Sequence, residues 1–264
     1  MPREYFQSTL KASQDLCSNV RHLSFDTDKP GNFDHGPGQF IMIHFPNEDG
    51  IEINRSYSIS TPPGEEEGFS LCVKRVERGR GSTLLHRLEP GEQIKTSGPF
   101  GRFALRDEDP ENVILVATGT GIAPFRSMRD MLAEGLRKRN YWLLMGVRHT
   151  EELLYHDEWL ALAEAHANFN YRPVVSRPDE SWDGPVGYVD TFLPEFEELI
   201  QPGKITAYLC GVPQMIDSMR KIFMDRGLGR REIRTEKFAS PPPPRRKKIE
   251  AIRAREAASD PSKK

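Results

Sequence analysis

Apolar and polar positions change rhythm once along the chain. Over the first hundred residues they alternate with a period of two in short runs: 19–26 (NVRHLSFD), 39–45 (QFIMIHF), 55–60 (RSYSIS), 68–76 (GFSLCVKRV) and 92–100 (EQIKTSGPF). Turns rich in Gly, Pro, Asp and Asn separate them, which predicts an antiparallel sandwich or barrel. A short helix is expected over 82–88 (STLLHRL), with Ser82 as its N-cap. After the polar stretch Arg106–Pro110 the pattern becomes unbroken apolar strands alternating with helical segments. Strands are expected at 113–117, 141–147, 170–176, 205–211 and 232–238, and helices at 124–138, 157–167 and 213–227. That alternation predicts a doubly wound parallel sheet with helices on both faces. The expected division is 1–106 for the β-rich domain, 107–239 for the α/β domain, and 240–264 for a disordered tail that opens on four prolines and carries eight Lys/Arg against three Asp/Glu.

Composition narrows the classes of function. A net charge of −2 over 264 residues gives no global basic field for nucleic acid. No run of about 18 apolar residues suggests a membrane span, and the first residues have no apolar core of a secretory signal. Cys17, Cys72 and Cys210 are odd in number and far apart. No disulfide framework or metal site is expected, and a reducing cytoplasm is the default location.

The chemistry starts at 55–58, RSYS. Arg55 and Tyr57 share one face of a strand and Ser56 and Ser58 the other. A guanidinium and a phenol side by side suit a phosphate and a flat ring. A second cradle lies at Gly79, Gly81, Ser82 and Thr83, where glycines precede a helix start. In the α/β half, a buried strand runs into Gly119-Thr120-Gly121, with Pro124 in the first helical turn. Two nucleotides facing each other across a domain boundary suggest hydride exchange between a nicotinamide and a flavin.

In their order these motifs resemble those of the ferredoxin–NADP(+) reductase superfamily, over about residues 5 to 238. The matching segments are Arg55-Ser56-Tyr57-Ser58, Cys72-Val73-Lys74, Gly79–Thr83, Gly98–Gly101, Gly119–Pro124, Gly146–Glu158 and Cys210–Met215. The resemblance implies an antiparallel Greek-key β-barrel of the six-stranded type for FAD, followed by a parallel α/β domain for NADP(H). It implies that Arg55, Ser56, Tyr57, Ser58, Cys72, Val73, Lys74, Gly81, Ser82, Thr83 and Phe238 contact FAD. Gly119, Thr120, Gly121, Pro124, Val147, Arg148, Ser176, Arg177, Tyr188, Gly211 and Met215 would contact NADP(H). Ser58, near flavin N5, Cys210, beside nicotinamide C4, and Glu236 are the implied catalytic set, with Cys210 as an orienting group and not a nucleophile. Glu236 and Phe238 keep the family's spacing of an acid two residues before an aromatic. Here the aromatic is Phe, not Tyr, and the chain runs 26 residues past it.

Ser176 and Arg177 at a strand end favour a 2′-phosphate, hence NADP(H), while Asp179 and Glu180 leave NAD(H) open. Residues 71–106 hold eight Lys/Arg against three Asp/Glu, a net +5, among them Arg75, Arg78, Arg80, Arg87 and Arg102. Such a rim would steer an acidic one-electron carrier, ferredoxin or flavodoxin, to a monomeric reductase. The expected activity is therefore that of a ferredoxin–NADP(+) reductase. Two alternatives stay open: an NADH-dependent reductase component of an oxygenase or cytochrome system, and an electron-transfer subunit of a larger complex.

Overall fold

A computed structural model describes residues 4–29 and 33–238. The expected tail, 240–264, lies outside the described residues. In chain order the elements are β1 (Tyr5–Cys17), β2 (Val20–Thr27), β3 (Phe40–Pro46), β4 (Glu52–Ser58), β5 (Phe69–Lys74), α1 (Arg80–Arg87) and β6 (Gln93–Phe100). There follow β7 (Asn112–Thr118), α2 (Ala123–Ser127), α3 (Arg129–Gly135), β8 (Asn140–Val147), α4 (His156–Ala165), β9 (Phe169–Val175), β10 (Ile205–Gly211), α5 (Pro213–Asp225) and β11 (Ile233–Lys237).

β1 to β6 form one antiparallel sheet in the order β4-β3-β6-β1-β2-β5. Its two edge strands approach each other: Ile59 bridges Leu71, and the Ser60 N–H donates to the Ser70 carbonyl at 2.8 Å. The sheet thus closes on itself around Leu10, Leu23, Phe25, Ile41, Ile43, Phe69 and Leu71, the barrel solution to exposed strand edges. β1, which the period-two runs did not include, is the longest strand. Phe6, Ser8 and Leu10 face inward, but its second half is largely exposed. The inward Ser8 hydroxyl is satisfied by Thr96 at 2.7 Å.

The second sheet is parallel, in the order β11-β10-β7-β8-β9. Alternate residues of β7 feed two cores. Val113, Leu115 and Ala117 pack under α2, α3 and α4 with Phe125, Met128 and Trp159. Ile114 and Val116 pack under α5 with Ile216, Met219 and Phe223. The chain leaves β7 towards β8 on one side and reaches β10 on the other, so the order reverses between β7 and β10. In an open α/β sheet that switch point leaves a crevice at the carboxyl ends of the strands.

The helix expected over 124–138 is two short helices meeting at Met128, whose N–H is shared between the carbonyls of Pro124 and Phe125 at 3.2 and 3.1 Å. The expected Ser82 cap is also different: Gly79 occupies the N-cap of α1. The Ser82 hydroxyl sits inside the turn, donating to the Gly79 carbonyl at 3.0 Å and accepting the Val76 N–H at 3.1 Å.

Candidate functional site

β4 pairs with β3 so that Arg55 lies opposite Ile43 and Tyr57 opposite Ile41. Both side chains point towards the start of α1. A Cβ on Gly81 would come within 2.9 Å of Arg55 Cγ and of the Tyr57 hydroxyl. α1 therefore reaches the barrel only because residue 81 has no side chain. The first N–H to find a helical acceptor is that of Thr83, bonded to Gly79 at 2.8 Å. Those of residues 80 to 82 are left as donors at the positive end of the helix. A guanidinium, a phenol and free N–H groups converge here, a donor set that fits a diphosphate bearing a flat ring. Burial pushes the Tyr57 phenol up to about 12, against the opposing influence of Arg55, so the ring stays neutral.

The residues of the segment 72–74 have three different surroundings. Cys72 and Val73 are both buried, Val73 in the barrel interior and Cys72 on the other face of β5, in the core shared with the α/β domain. Burial pushes the Cys72 thiol up to about 12. Lys74 pairs with Glu152 in the turn that follows β8. The other Glu152 oxygen accepts the N–H groups of Arg148 and His149, each at 3.3 Å. Lys74 thus ties the barrel to the loop that carries Arg148.

The catalytic candidates meet across the two sheets. Parallel pairing sets Cys210 opposite Glu236. The buried Ser58 hydroxyl at the end of β4 donates to Glu236 Oε1 at 2.7 Å. Burial raises the Glu236 carboxyl, and the Ser58 bond offsets this in part. Burial first, and the Glu236 charge second, hold the Cys210 thiol well above its usual range, so it stays protonated. Phe238 donates its N–H to the Gly211 carbonyl at 2.9 Å and rests half-buried against the core around Cys210. Ser56 is exposed on the opposite face of β4 from Tyr57.

The raised Glu236 value has a consequence for stability. A carboxyl that holds its proton more tightly folded than unfolded favours the fold fully below the ordinary carboxylate range. That contribution is lost as pH rises through the raised folded value. Glu236→Gln keeps the neutral form and the hydrogen bond at every pH. Its melting temperature is therefore expected to match the wild type in acid and exceed it at neutral pH. A thermal scan across pH 4 to 8 showing a constant offset would contradict the assignment.

The crevice between β7 and β10 is built on close backbone approach. A Cβ on Gly121 would sit 2.3 Å from the Cys210 carbonyl oxygen, and one on Gly211 2.1 Å from Thr118 Oγ1. Thr118 Oγ1 accepts the Val212 N–H at 3.1 Å, locking the two loops together. Gly119 takes φ +52° with open space beside it. The buried Pro124 lies in the first turn of α2, which is five residues long, so the donors facing the crevice are those of the turn at Gly119–Ile122 more than a helix dipole.

At the ends of β8 and β9, Ser176 donates its N–H to the Val147 carbonyl at 3.0 Å, and Arg177 to that of Arg148 at 2.8 Å. This sets the exposed side chains of Arg148 and Arg177 on neighbouring strand ends. Val147 itself is buried in the core, with its carbonyl already used. Asp179, which argued for the bare 2′-hydroxyl, accepts the Ser181 N–H at 3.0 Å and is satisfied within its own turn. Tyr188 is 72% exposed, an unencumbered ring beside these strand ends. Met215 lies in the first turn of α5, its half-buried side chain against the core.

Comparison with known proteins agrees with this layout. The family Oxidoreductase FAD-binding domain matches residues 7–105, and the family Oxidoreductase NAD-binding domain matches residues 115–221. A ferredoxin–NADP reductase B of Sorangium cellulosum is 35% identical over 240 residues, covering 89% of this chain and 98% of that protein. A phenol hydroxylase P5 protein of Acinetobacter pittii is 34% identical over 238 residues, covering 89% of this chain but 66% of the relative. Among solved structures, a ferredoxin NADP+ reductase from Neisseria gonorrhoeae with bound FAD and NADP shares the fold with a TM-score of 0.76 at 21% identity, over 88% of this chain and 98% of that one. An Amycolatopsis cytochrome P450 reductase has a TM-score of 0.76 at 26% identity, over 90% of this chain and 71% of that one. Among the described residues no helix is long and apolar enough to cross a membrane. With a barrel and a switch-point crevice sharing one boundary, and a full-length relative at 35% identity, the chain belongs to the ferredoxin–NADP(+) reductase superfamily of oxidoreductases that bind FAD and a pyridine nucleotide.

Proposed function

We propose that the protein is a ferredoxin–NADP(+) reductase-type enzyme: it takes a hydride from NADPH and passes electrons one at a time to a small acidic carrier, a ferredoxin or flavodoxin. The observation that carries this reading is the Ser58–Glu236 bond at 2.7 Å, made between the barrel and the α/β sheet with Cys210 opposite Glu236. It sets a hydroxyl, a carboxyl whose proton affinity burial has raised and a neutral thiol where the two nucleotide sites face each other. FAD, when bound, supplies the two-electron to one-electron conversion. The chain's own part is to orient and to shield. Arg55, Tyr57 and the N–H groups at Gly81–Ser82 hold the diphosphate and pack the ring. Gly119, Gly121 and Gly211 admit the nicotinamide to the crevice. Arg148 and Arg177 supply positive charge for the 2′-phosphate, and Tyr188 a ring for the adenine. Residues 1–106 serve the flavin and 107–239 the pyridine nucleotide.

The carrier reading rests on the basic stretch 71–106. Of its eight cations, Lys74, Arg80, Lys95 and Arg106 are paired with carboxylates. Arg75, Arg78, Arg87 and Arg102 are exposed and make no ion pair among the described residues. Four guanidinium groups without an ion pair, three of them on the segment that carries the Gly79–Thr83 turn, would steer an acidic partner as a monomeric reductase meets it. The similarity to phenol hydroxylase P5 protein favours a second reading, a reductase component of an oxygenase that uses NADH.

Anaerobic titration of the FAD-loaded protein with NADPH and then NADH separates the two. Bleaching of the flavin absorbance at much lower NADPH concentration is expected. Preference for NADH would move the function to the oxygenase reading, and no bleaching by either would end both.

A further inference from the structure

Tyr155 caps α4 from a left-handed backbone, φ +56°. A bulky aromatic at positive φ persists only where its surroundings hold it. Its hydroxyl lies 2.9 Å from His22 Nδ1 on β2 and also meets the Cys72 thiol and the Ser60 hydroxyl. The α/β domain thus plants one phenol among three barrel residues. Above its ring, with the guanidinium carbon 4.6 Å from the centroid, lies Arg126 of α2.

Arg126 is buried. Its Nε and Nη2 donate to the two oxygens of Glu158 in the first turn of α4, at 2.8 and 3.0 Å. Its remaining nitrogen, Nη1, crosses to the barrel and donates to the Ser60 carbonyl at 3.0 Å. Glu65 of the barrel stands 3.9 Å from the same guanidinium and binds Arg129 at 2.6 Å.

Apolar packing would dock two domains at lower desolvation cost than a buried guanidinium. What the guanidinium adds is direction. Its planar fork is fixed on Glu158 and Tyr155, so its third arm can reach the barrel at one place only. Ser60 is two residues beyond Ser58, and Arg126 is two residues beyond Pro124 at the end of the Gly119–Pro124 loop. Each end of the contact is therefore next to a group that must face the other.

We propose that Arg126, clamped by Tyr155 and Glu158, is a positioning residue that sets the spacing of the flavin and nicotinamide rings by fixing the Ser58 strand against the Gly119–Pro124 loop. The inference rests on the hydride-transfer reading above. Misplacement by about 1 Å can cost about 100-fold in rate.

The test uses the full chain as Arg126→Lys and as Tyr155→Phe, the second removing only a hydroxyl. Single-turnover reduction of the bound flavin by saturating NADPH is expected to slow about 10- to 100-fold in Arg126→Lys, and less in Tyr155→Phe. KM for NADPH and flavin content should stay within about twofold, while the charge-transfer absorbance of the flavin–nicotinamide pair weakens. Amide hydrogen exchange, with and without FAD, should quicken together in residues 55–60 and 119–124. Reduction at the wild-type rate with unchanged exchange in either variant overturns the proposal, as does slowing explained wholly by lost flavin or raised KM. If Arg126→Lys does not fold, Tyr155→Phe decides alone. Failure of the wild-type flavin to be reduced would instead remove the functional reading, while the exchange measurement still judges the clamp.

Discussion

Gly81→Val is expected to yield a folded, colourless protein. The added side chain would meet Arg55 Cγ and the Tyr57 hydroxyl, each 2.9 Å from the position of a Cβ. The phenol hydroxyl is the far end of its side chain and can swing aside, but Arg55 Cγ lies near the main chain, with Arg55 Cβ at 3.3 Å, so the start of α1 must shift as well. The cradle distorts: the guanidinium and the ring are pushed from the place where the diphosphate and the flat ring would lie. A charge-assisted hydrogen bond is worth about 1.5–3 kcal/mol, and an aromatic packing contact about 0.5–1.5 kcal/mol. Their joint loss weakens flavin binding by at least about 30-fold. Flavin content after gel filtration, read beside the far-ultraviolet circular dichroism, checks this. A yellow Gly81→Val protein with wild-type affinity would show that FAD does not use this cradle.

Arg177→Ala is expected to abolish the preference for NADPH. The Arg177 side chain is exposed, beside Arg148 at the ends of β8 and β9. Its removal takes one charge-assisted contact from the 2′-phosphate, about 2–3 kcal/mol, which is about 30- to 150-fold in KM. NADH has no phosphate at that position and should be affected by less than about threefold. The maximal rate with either nucleotide should hold, because the contact is made equally in ground and transition states. Equal rises in KM for both nucleotides would sink the assignment and place the adenosine end elsewhere.

The parallel sheet and the meeting of RSYS with the Gly79–Thr83 turn were legible because each depends on local chemistry. RSYS shows its faces by parity. The glycines at 119, 121 and 211 mark turns, and the apolar runs at 113–117 and 205–211 have no polar face to expose. Four features were not legible, each for a physical reason. The pairing of Lys74 with Glu152 joins residues 78 apart in sequence, which no local pattern spans. β1 escapes the period-two test because its inward face includes Ser8 and its second half is solvated. The Arg126–Tyr155–Glu158 cluster looks like ordinary helix-surface charge, and only tertiary packing buries the guanidinium against Ser60. The one local hint, a Tyr just before the acidic first turn of α4, does not announce a left-handed backbone. Met128 likewise lies in a run of good helix formers, yet the helix breaks there.

The tight seam between the loops after β7 and β10 sets a limit on how this protein can be dissected. At Gly121 and Gly211 the crevice is shaped by atoms that are missing, with neighbours 2.3 and 2.1 Å from where a Cβ would stand. A scan that deletes side chains has nothing to delete there, and would leave these loops blank on a map of function. Their importance becomes visible only to a scan that adds bulk, one methyl at a time.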